Sequence, residues 1–374
     1  MKSETNQPRL SKYLLAALLC LLLAAGVGLV LFFFPLGPAD APAISAVESE
    51  SSEESAESRT EESEPVEESA EESQEESFGP PVRVSKRADR SEAMTYHDFY
   101  QAGLLCEVVY EPSEEWAYGQ VIRVEYTGTE DDTGYLVQPE KPVILHVSTA
   151  QGGELSQYND RILYLTFDDG PRPTTSELAD ILDAYNVKAT FFTVGAFCEY
   201  YPQQIKRLYQ SGQALGCHSY SHRYRDIYGC ADDLEQDIHR WEASIQAAVS
   251  TTLPYHLYRF PGGSTNRAID KTVFPLLQQR LEALGYRSYD WSCANCDKWK
   301  GAQAEGQSDR DYYETQAIQT VASIERAHPE RPRIMLLHET VADTRDMVPW
   351  LIEYFSAKGY TFRSLDQLDQ DYLF

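Results

Sequence analysis

The sequence predicts an α/β domain, a parallel barrel or wound sheet, reached through an apolar N-terminal segment, an acidic stalk and a small β-rich module. Three observations predict it. Short apolar, β-rich runs alternate with helical segments from Arg161 to Leu373. Tyr13 to Phe34 carries no charge and is nearly all apolar. Val47 to Ser77 is almost entirely Glu and Ser. The whole chain has 374 residues and a net charge of −27, which fits two domains with accessory segments.

The apolar run at residues 13–34 is long enough to cross a bilayer as a helix, whose backbone groups bond within the segment. Lys2, Arg9 and Lys12 precede it and Pro35 follows. The positive flank predicts residues 1–12 on the cytoplasmic side and the rest exported, a single-pass membrane protein with an extracellular main domain. The other reading is a cleaved signal peptide, with Ala39-Asp40-Ala41 or Ala41-Pro42-Ala43 as the cleavage site. The run exceeds the usual ~7–15-residue apolar region of such peptides, which favours the anchor.

Roughly half of the net charge lies between Glu48 and Glu76. A Glu/Ser segment cannot bury enough apolar surface to offset its ordering entropy, and its charges repel and extend it. Residues 35–80 therefore read as a disordered linker. No basic stripe is present to neutralise phosphates, which argues against a nucleic-acid partner. The seven cysteines, Cys20, Cys106, Cys198, Cys217, Cys230, Cys293 and Cys296, do not form a disulfide framework by spacing. Cys293 and Cys296 suit a loop or a local disulfide.

Residues 88–150 read as a module of their own. A short helix is expected from Ala93 to Leu105, with Phe99, Ala102 and Leu105 inward. Gly119–Val124 and Pro142–Ser148 alternate like strands. Helix, loop, strand, Gly-Thr turn and a final strand ending in Val-Ser resemble a PASTA module, a small domain associated with cell-wall fragments. A β-rich spacer without a ligand is an equal reading.

The main domain is expected over residues 158–374. Ile162–Phe167, Thr190–Val194, Leu257–Phe260 and Ile334–Leu337 read as buried strands. Leu178, Ile181, Leu182 and Tyr185 repeat at helical spacing, with Thr174 and Glu177 as a capping box. Met347–Lys358 is a second amphipathic helix, closed by Gly359. In such parallel folds the chemistry sits at the C-terminal strand ends.

Five groups stand at those ends. Thr166-Phe167-Asp168-Asp169-Gly170-Pro171 delivers two adjacent carboxylates into a sharp turn. Alone, Asp-Asp-Gly is more often only a turn. His218-Ser219-Tyr220-Ser221-His222 spaces two imidazoles for one face of a helical turn, an arrangement suited to one divalent metal. Arg259-Phe260-Pro261-Gly262-Gly263 offers a guanidinium that can hold a carboxylate. Tyr289 to Trp299 supplies acids and aromatics in a loop, and Leu336-Leu337-His338 ends an apolar strand in an imidazole.

In this order the five groups closely resemble the polysaccharide deacetylase family, also called the NodB homology domain or carbohydrate esterase family four. The resemblance covers residues 161–368 and implies a distorted (β/α) barrel, usually of fewer than eight strands. It implies Asp168 as catalytic base and Asp169, His218 and His222 as ligands of a divalent metal, zinc or cobalt. Arg259 would orient the base, and Asp297 would pair with His338, the general acid. Leu336 would shape the acetyl-methyl pocket. Gly262 stands where the family often has Tyr, so oxyanion help would come from a backbone N–H there. The usual Asp-x-x-Asp-Trp has Ala294 for its first Asp and Lys298 for its Trp, with Trp299 one place later as the candidate sugar wall.

The implied activity is removal of N-acetyl groups from amino sugars of a cell-wall glycan, peptidoglycan N-acetylglucosamine above all. Two alternatives are an esterase for O-acetylated xylan or another glycan, and an inactive wall-binding protein. Retention of Asp168, Asp169, His218, His222, Arg259 and His338 argues against the latter.

Overall fold

The computed structural model describes residues 79–149, 161–298, 303–368 and 370–374. The apolar run at 13–34, the acidic stretch at 48–76 and Trp299 lie outside them. Among the described residues no helix is long and apolar enough to cross a membrane.

The first part of the described chain carries β1 (Val82–Ser85), α1 (Glu92–Gln101), β2 (Cys106–Glu111), β3 (Val121–Glu125), β4 (Gly128–Asp131), β5 (Gly134–Val137) and β6 (Val143–Ser148). They form two three-stranded sheets, β1-β5-β4 and β2-β6-β3. The expected helix and both expected strands are present. Phe99 is buried, but Leu105 is 69% exposed, because the helix ends at Gln101 and Leu105 falls in the turn into β2.

This part is not separate from the rest. The described residues all belong to one compact unit. Ala93 and Met94 on α1 belong to the same apolar cluster as Leu163, Leu165 and Phe191 of the larger sheet. Tyr118 packs with Ile162, Tyr164 and Phe192. Arg363 is buried between the two parts, with its Nη2 3.3 Å from Glu92 Oε2 and its Nε donating to Tyr118 Oη at 2.8 Å. His97 stacks on Tyr185 at 3.8 Å between ring centroids.

The larger part runs β7 (Ile162–Gly170), α2 (Thr175–Ala184), β8 (Thr190–Thr193), α3 (Gly195–Tyr200), α4 (Pro202–Gln210), β9 (Ala214–Cys217), α5 (Tyr224–Ile227), α6 (Ala231–Val249), β10 (Leu257–Tyr258), α7 (Phe274–Ala283), β11 (Arg287–Ser288), β12 (Cys293–Ala294), α8 (Asp309–Ala327), β13 (Arg333–His338), α9 (Ala342–Ala357) and β14 (Thr361–Phe362). Its strands pair only in parallel, in the order β11-β10-β9-β8-β7-β13-β12. The edge strands β11 and β12 end and begin at Ser288 and Cys293, so at most about 18 Å of chain joins them. The sheet therefore curls into a partial barrel. The eighth strand, β14, pairs with the start of β7, on the side where β8 pairs with its end, so the path round the curl has seven positions.

Period-two alternation sorts the side chains. On β13, Met335 and Leu337 pack outward among the helices, while Ile334 joins the inner cluster with Tyr164 and Tyr289. Leu336 and His338 share the inward face with Ile334. The capping box expected at α2 does not form: Thr174 makes no side-chain cap bond. Thr175 Oγ1 accepts from Arg172 N–H at 2.7 Å and donates to Glu339 instead.

Candidate functional site

The C-terminal ends of β7, β9, β10, β12 and β13 bring the expected polar residues to one end of the barrel. Along a regular strand, Asp168 and Asp169 would face opposite sides. The register slips between Asp168 and Gly170, a β-bulge, and Asp169 adopts a left-handed φ of 71°. Bulges re-aim side chains in this way, and here both carboxylates serve one site. Gly170 beside them leaves room for the Glu339 carboxyl, which a Cβ there would displace.

Asp169, His218 and His222 each offer one ligand atom, all within 4.8 Å of one another. Asp169 Oδ1 lies 3.3 Å from His222 Nε2 and 3.6 Å from His218 Nε2. The histidine pair does not sit on a helical turn as its spacing suggested. Residues 218–222 form a loop in which Ser219 and His222 have left-handed φ values of 65° and 53°. Buried Asp237 on α6 holds that loop, accepting from Tyr220 N–H at 2.5 Å and Ser221 N–H at 3.1 Å. His222 N–H donates to Ser219 Oγ at 2.7 Å. Such strained backbone persists only where its surroundings over-determine it.

His218 Nδ1 lies 3.0 Å from the carbonyl of Arg259. A proton on Nδ1 donates there, which leaves the Nε2 lone pair facing Asp169. Burial, the largest influence, pushes the His218 imidazole down to about 4, so it is neutral at pH 7. Burial works against ionisation of Asp169, but the His222 hydrogen bond and the fields of His218 and His338 hold its carboxyl well below the usual range. Two imidazoles and one carboxylate are a donor set suited to zinc or cobalt. These residues fit a divalent cation.

Asp168 lies beside the trio. Its Oδ2 is 3.6 Å from His218 Nε2, and its Oδ1 accepts from Arg259 Nη1 at 2.8 Å. Arg259 is fully buried. It spends its other donors on Thr166 Oγ1 at 2.7 Å, the Tyr289 carbonyl at 2.8 Å and the Asp290 carbonyl at 3.0 Å. Its guanidinium also lies over the Phe192 ring at 4.2 Å. One side chain therefore ties β7, β10 and the end of β11 together around a carboxylate.

On the other side, His338 Nδ1 is 2.7 Å from Asp297 Oδ1. Asp297 Oδ2 accepts from His338 N–H at 2.9 Å and Thr344 Oγ1 at 2.7 Å. Burial pulls the His338 imidazole down, but the hydrogen bond and charge of Asp297, with Asp168 and Asp169 behind, raise it above its ordinary value. Leu336 is buried two residues earlier on β13. Gly262 is exposed in a tight turn closed by Gly263 N–H to Phe260 O at 2.7 Å. Its φ is 76°, and a Cβ there would meet Asn266 Nδ2 at 2.3 Å.

Several supporting groups escaped the sequence reading. Asp237 had a readable signal: an acid among Leu234, Ile238 and Trp241 on the buried stripe of α6. Thr166 and Thr344 carried none. Asp290, in the aromatic loop, accepts from Ser264 N–H at 2.9 Å and from the N–H of Phe374 at 2.9 Å. No disulfide joins Cys293 and Cys296. Cys293 is buried at the base of this loop.

The sequence profile described as polysaccharide deacetylase matches residues 156–287. YheN of Bacillus subtilis, which carries the same family description, is 30% identical over 224 residues, covering 60% of this chain and 72% of that protein. A peptidoglycan-N-acetylglucosamine deacetylase of Bacillus cereus is 28% identical over 218 residues, covering 56% of this chain and 89% of its own length. The crystal structure of the catalytic domain of peptidoglycan N-acetylglucosamine deacetylase from Eubacterium rectale aligns with a TM-score of 0.50 and 28% identity, over 57% of this chain and 92% of that one.

Proposed function

Since the chain belongs to the polysaccharide deacetylase family, we propose that it hydrolyses N-acetyl groups of amino sugars in cell-wall peptidoglycan, with N-acetylglucosamine as the first candidate. The observation that carries this reading is the placement of Asp168 and the His338–Asp297 pair beside the Asp169, His218 and His222 trio. Such a site has a group to take a proton and a group to give one.

Asp169, His218 and His222 would hold the divalent cation, which supplies Lewis-acid polarisation of the acetyl group. Arg259 fixes Asp168 through Oδ1, so Oδ2 is the atom that takes the proton of the attacking water. Asp297 holds the Nδ1 side of His338, so the proton on Nε2 passes to the leaving nitrogen. Without that proton the amine is a poor leaving group. The exposed turn at Gly262 offers a backbone N–H to the developing oxyanion, a donor typically worth ~3–4 kcal/mol. Leu336 lines the inward face for the acetyl methyl. Water adds to the carbonyl carbon, the C–N bond breaks, and acetate and a free amino sugar leave.

The N-terminal segment extends the proposal to location. Residues 13–34 act as a single membrane anchor and residues 35–80 as a linker that holds the catalytic part outside the cell. The PASTA-like stretch would then lie at the wall. Mass spectrometry of wall fragments treated with the protein tests the activity. Loss of acetyl from the amino sugars is expected; acetate released only from O-acetylated glycan would overturn it.

A further inference from the structure

The single carboxylate of Asp169 faces positive or cation-binding groups on both sides. Its Oδ1 is turned to the two imidazoles, and its Oδ2 lies 3.4 Å from the ammonium of Lys298. Lys298 also donates to Thr340 Oγ1 at 2.9 Å. It directly follows Asp297, whose carboxylate is held by His338 and Thr344. The lysine backbone is therefore fixed beside both the trio and His338, while its side chain is 39% exposed.

The charges here do not balance. Asp168 is matched by Arg259, and Asp297 is engaged by His338 and Thr344. With a divalent cation on the trio, Asp169 brings one negative charge against that cation and an ammonium together. Thr340 brings none. The surplus positive charge stands at the solvent side of the site, in a chain whose net charge is −27. A lysine ammonium is a compact point charge on a flexible stem, suited to an anion approaching from solvent.

We infer that Lys298 is a specificity-determining residue that binds a carboxylate carried by the glycan close to the acetamide being cut. The inference rests on the deacetylase reading for the kind of polymer, and it adds that the polymer is anionic at that point.

Calorimetry on the zinc-loaded full chain tests it, with initial rates measured alongside. The probes are a neutral N-acetylglucosamine oligomer and a peptide-free peptidoglycan strand of equal length bearing free lactyl carboxylates. Wild type is expected to bind the carboxylated strand about tenfold or more tighter. Lys298→Gln loses that preference, leaves the neutral oligomer unaffected and still takes up zinc. Lys298→Arg keeps the preference. Equal affinity of wild type for both probes, or equal weakening of both by Lys298→Gln, overturns the inference. Charge-dependent binding without acetate release from either probe would support the role of Lys298 and overturn the deacetylase reading.

Discussion

Asp297 grips His338 twice: one carboxylate oxygen lies 2.7 Å from Nδ1, and the other accepts the backbone N–H of the same residue at 2.9 Å. The imidazole is thereby fixed in position and in tautomer, and its ionisation is raised. An acid must be protonated to act, so a raised value extends activity to higher pH. Asp297→Asn removes the charge and keeps the shape. The alkaline limb of the kcat profile should move to lower pH, with kcat down by roughly 10²-fold, in the range of general acid catalysis. An unmoved limb would show that His338 does not set it.

Arg259 and Asp168 form a buried pair in which the arginine also serves three further acceptors. Removing one partner leaves an uncompensated buried charge, at a cost of about 3–5 kcal/mol. Arg259→Met should lower the denaturation midpoint accordingly. Arg259→Lys should recover little, because an ammonium cannot span acceptors arranged around a planar fork.

Asp237 touches no candidate ligand, yet it holds the loop that carries both histidines. Asp237→Asn keeps one acceptor oxygen and loses the other. Zinc affinity should fall about 10–100-fold, as for other groups that orient metal ligands. Titration with a competing chelator measures it, and unchanged affinity would place the loop's rigidity elsewhere.

The Glu92–Arg363 contact joins the N-terminal strands to the barrel in a buried setting. Ala93, Met94 and Tyr118 add apolar contact to it. The two parts should therefore unfold in one calorimetric transition, and Arg363→Ala should destabilise that whole transition by about 3–5 kcal/mol. Two separable transitions would show an independent module.

The five chemical groups were legible because each follows a short apolar run that ends at the same edge of a parallel sheet. Asp168, Asp169, His218, His222, Arg259, Asp297 and His338 all arrive there. How they converge was not legible. The bulge at Asp169 and the left-handed residues in the His218–His222 loop have no local sequence signal, and the loop is held by Asp237 on a separate helix. The spacing of the two histidines suggested a helical turn, and the pinning by Asp237 replaced it. The N-terminal part reads as a module from its local periodicity, but its attachment depends on Arg363, 271 positions from Glu92. No local pattern records such a pair. In the sequence Lys298 is only a replacement for a Trp; its place beside Asp169 Oδ2 depends on the fold.

Acetate release from purified peptidoglycan, followed through metal removal and zinc re-addition, tests the central claim most directly. The Asp169, His218 and His222 trio predicts loss of activity on chelation and recovery at one equivalent of zinc per chain. Full acetate release by the metal-free protein would contradict it.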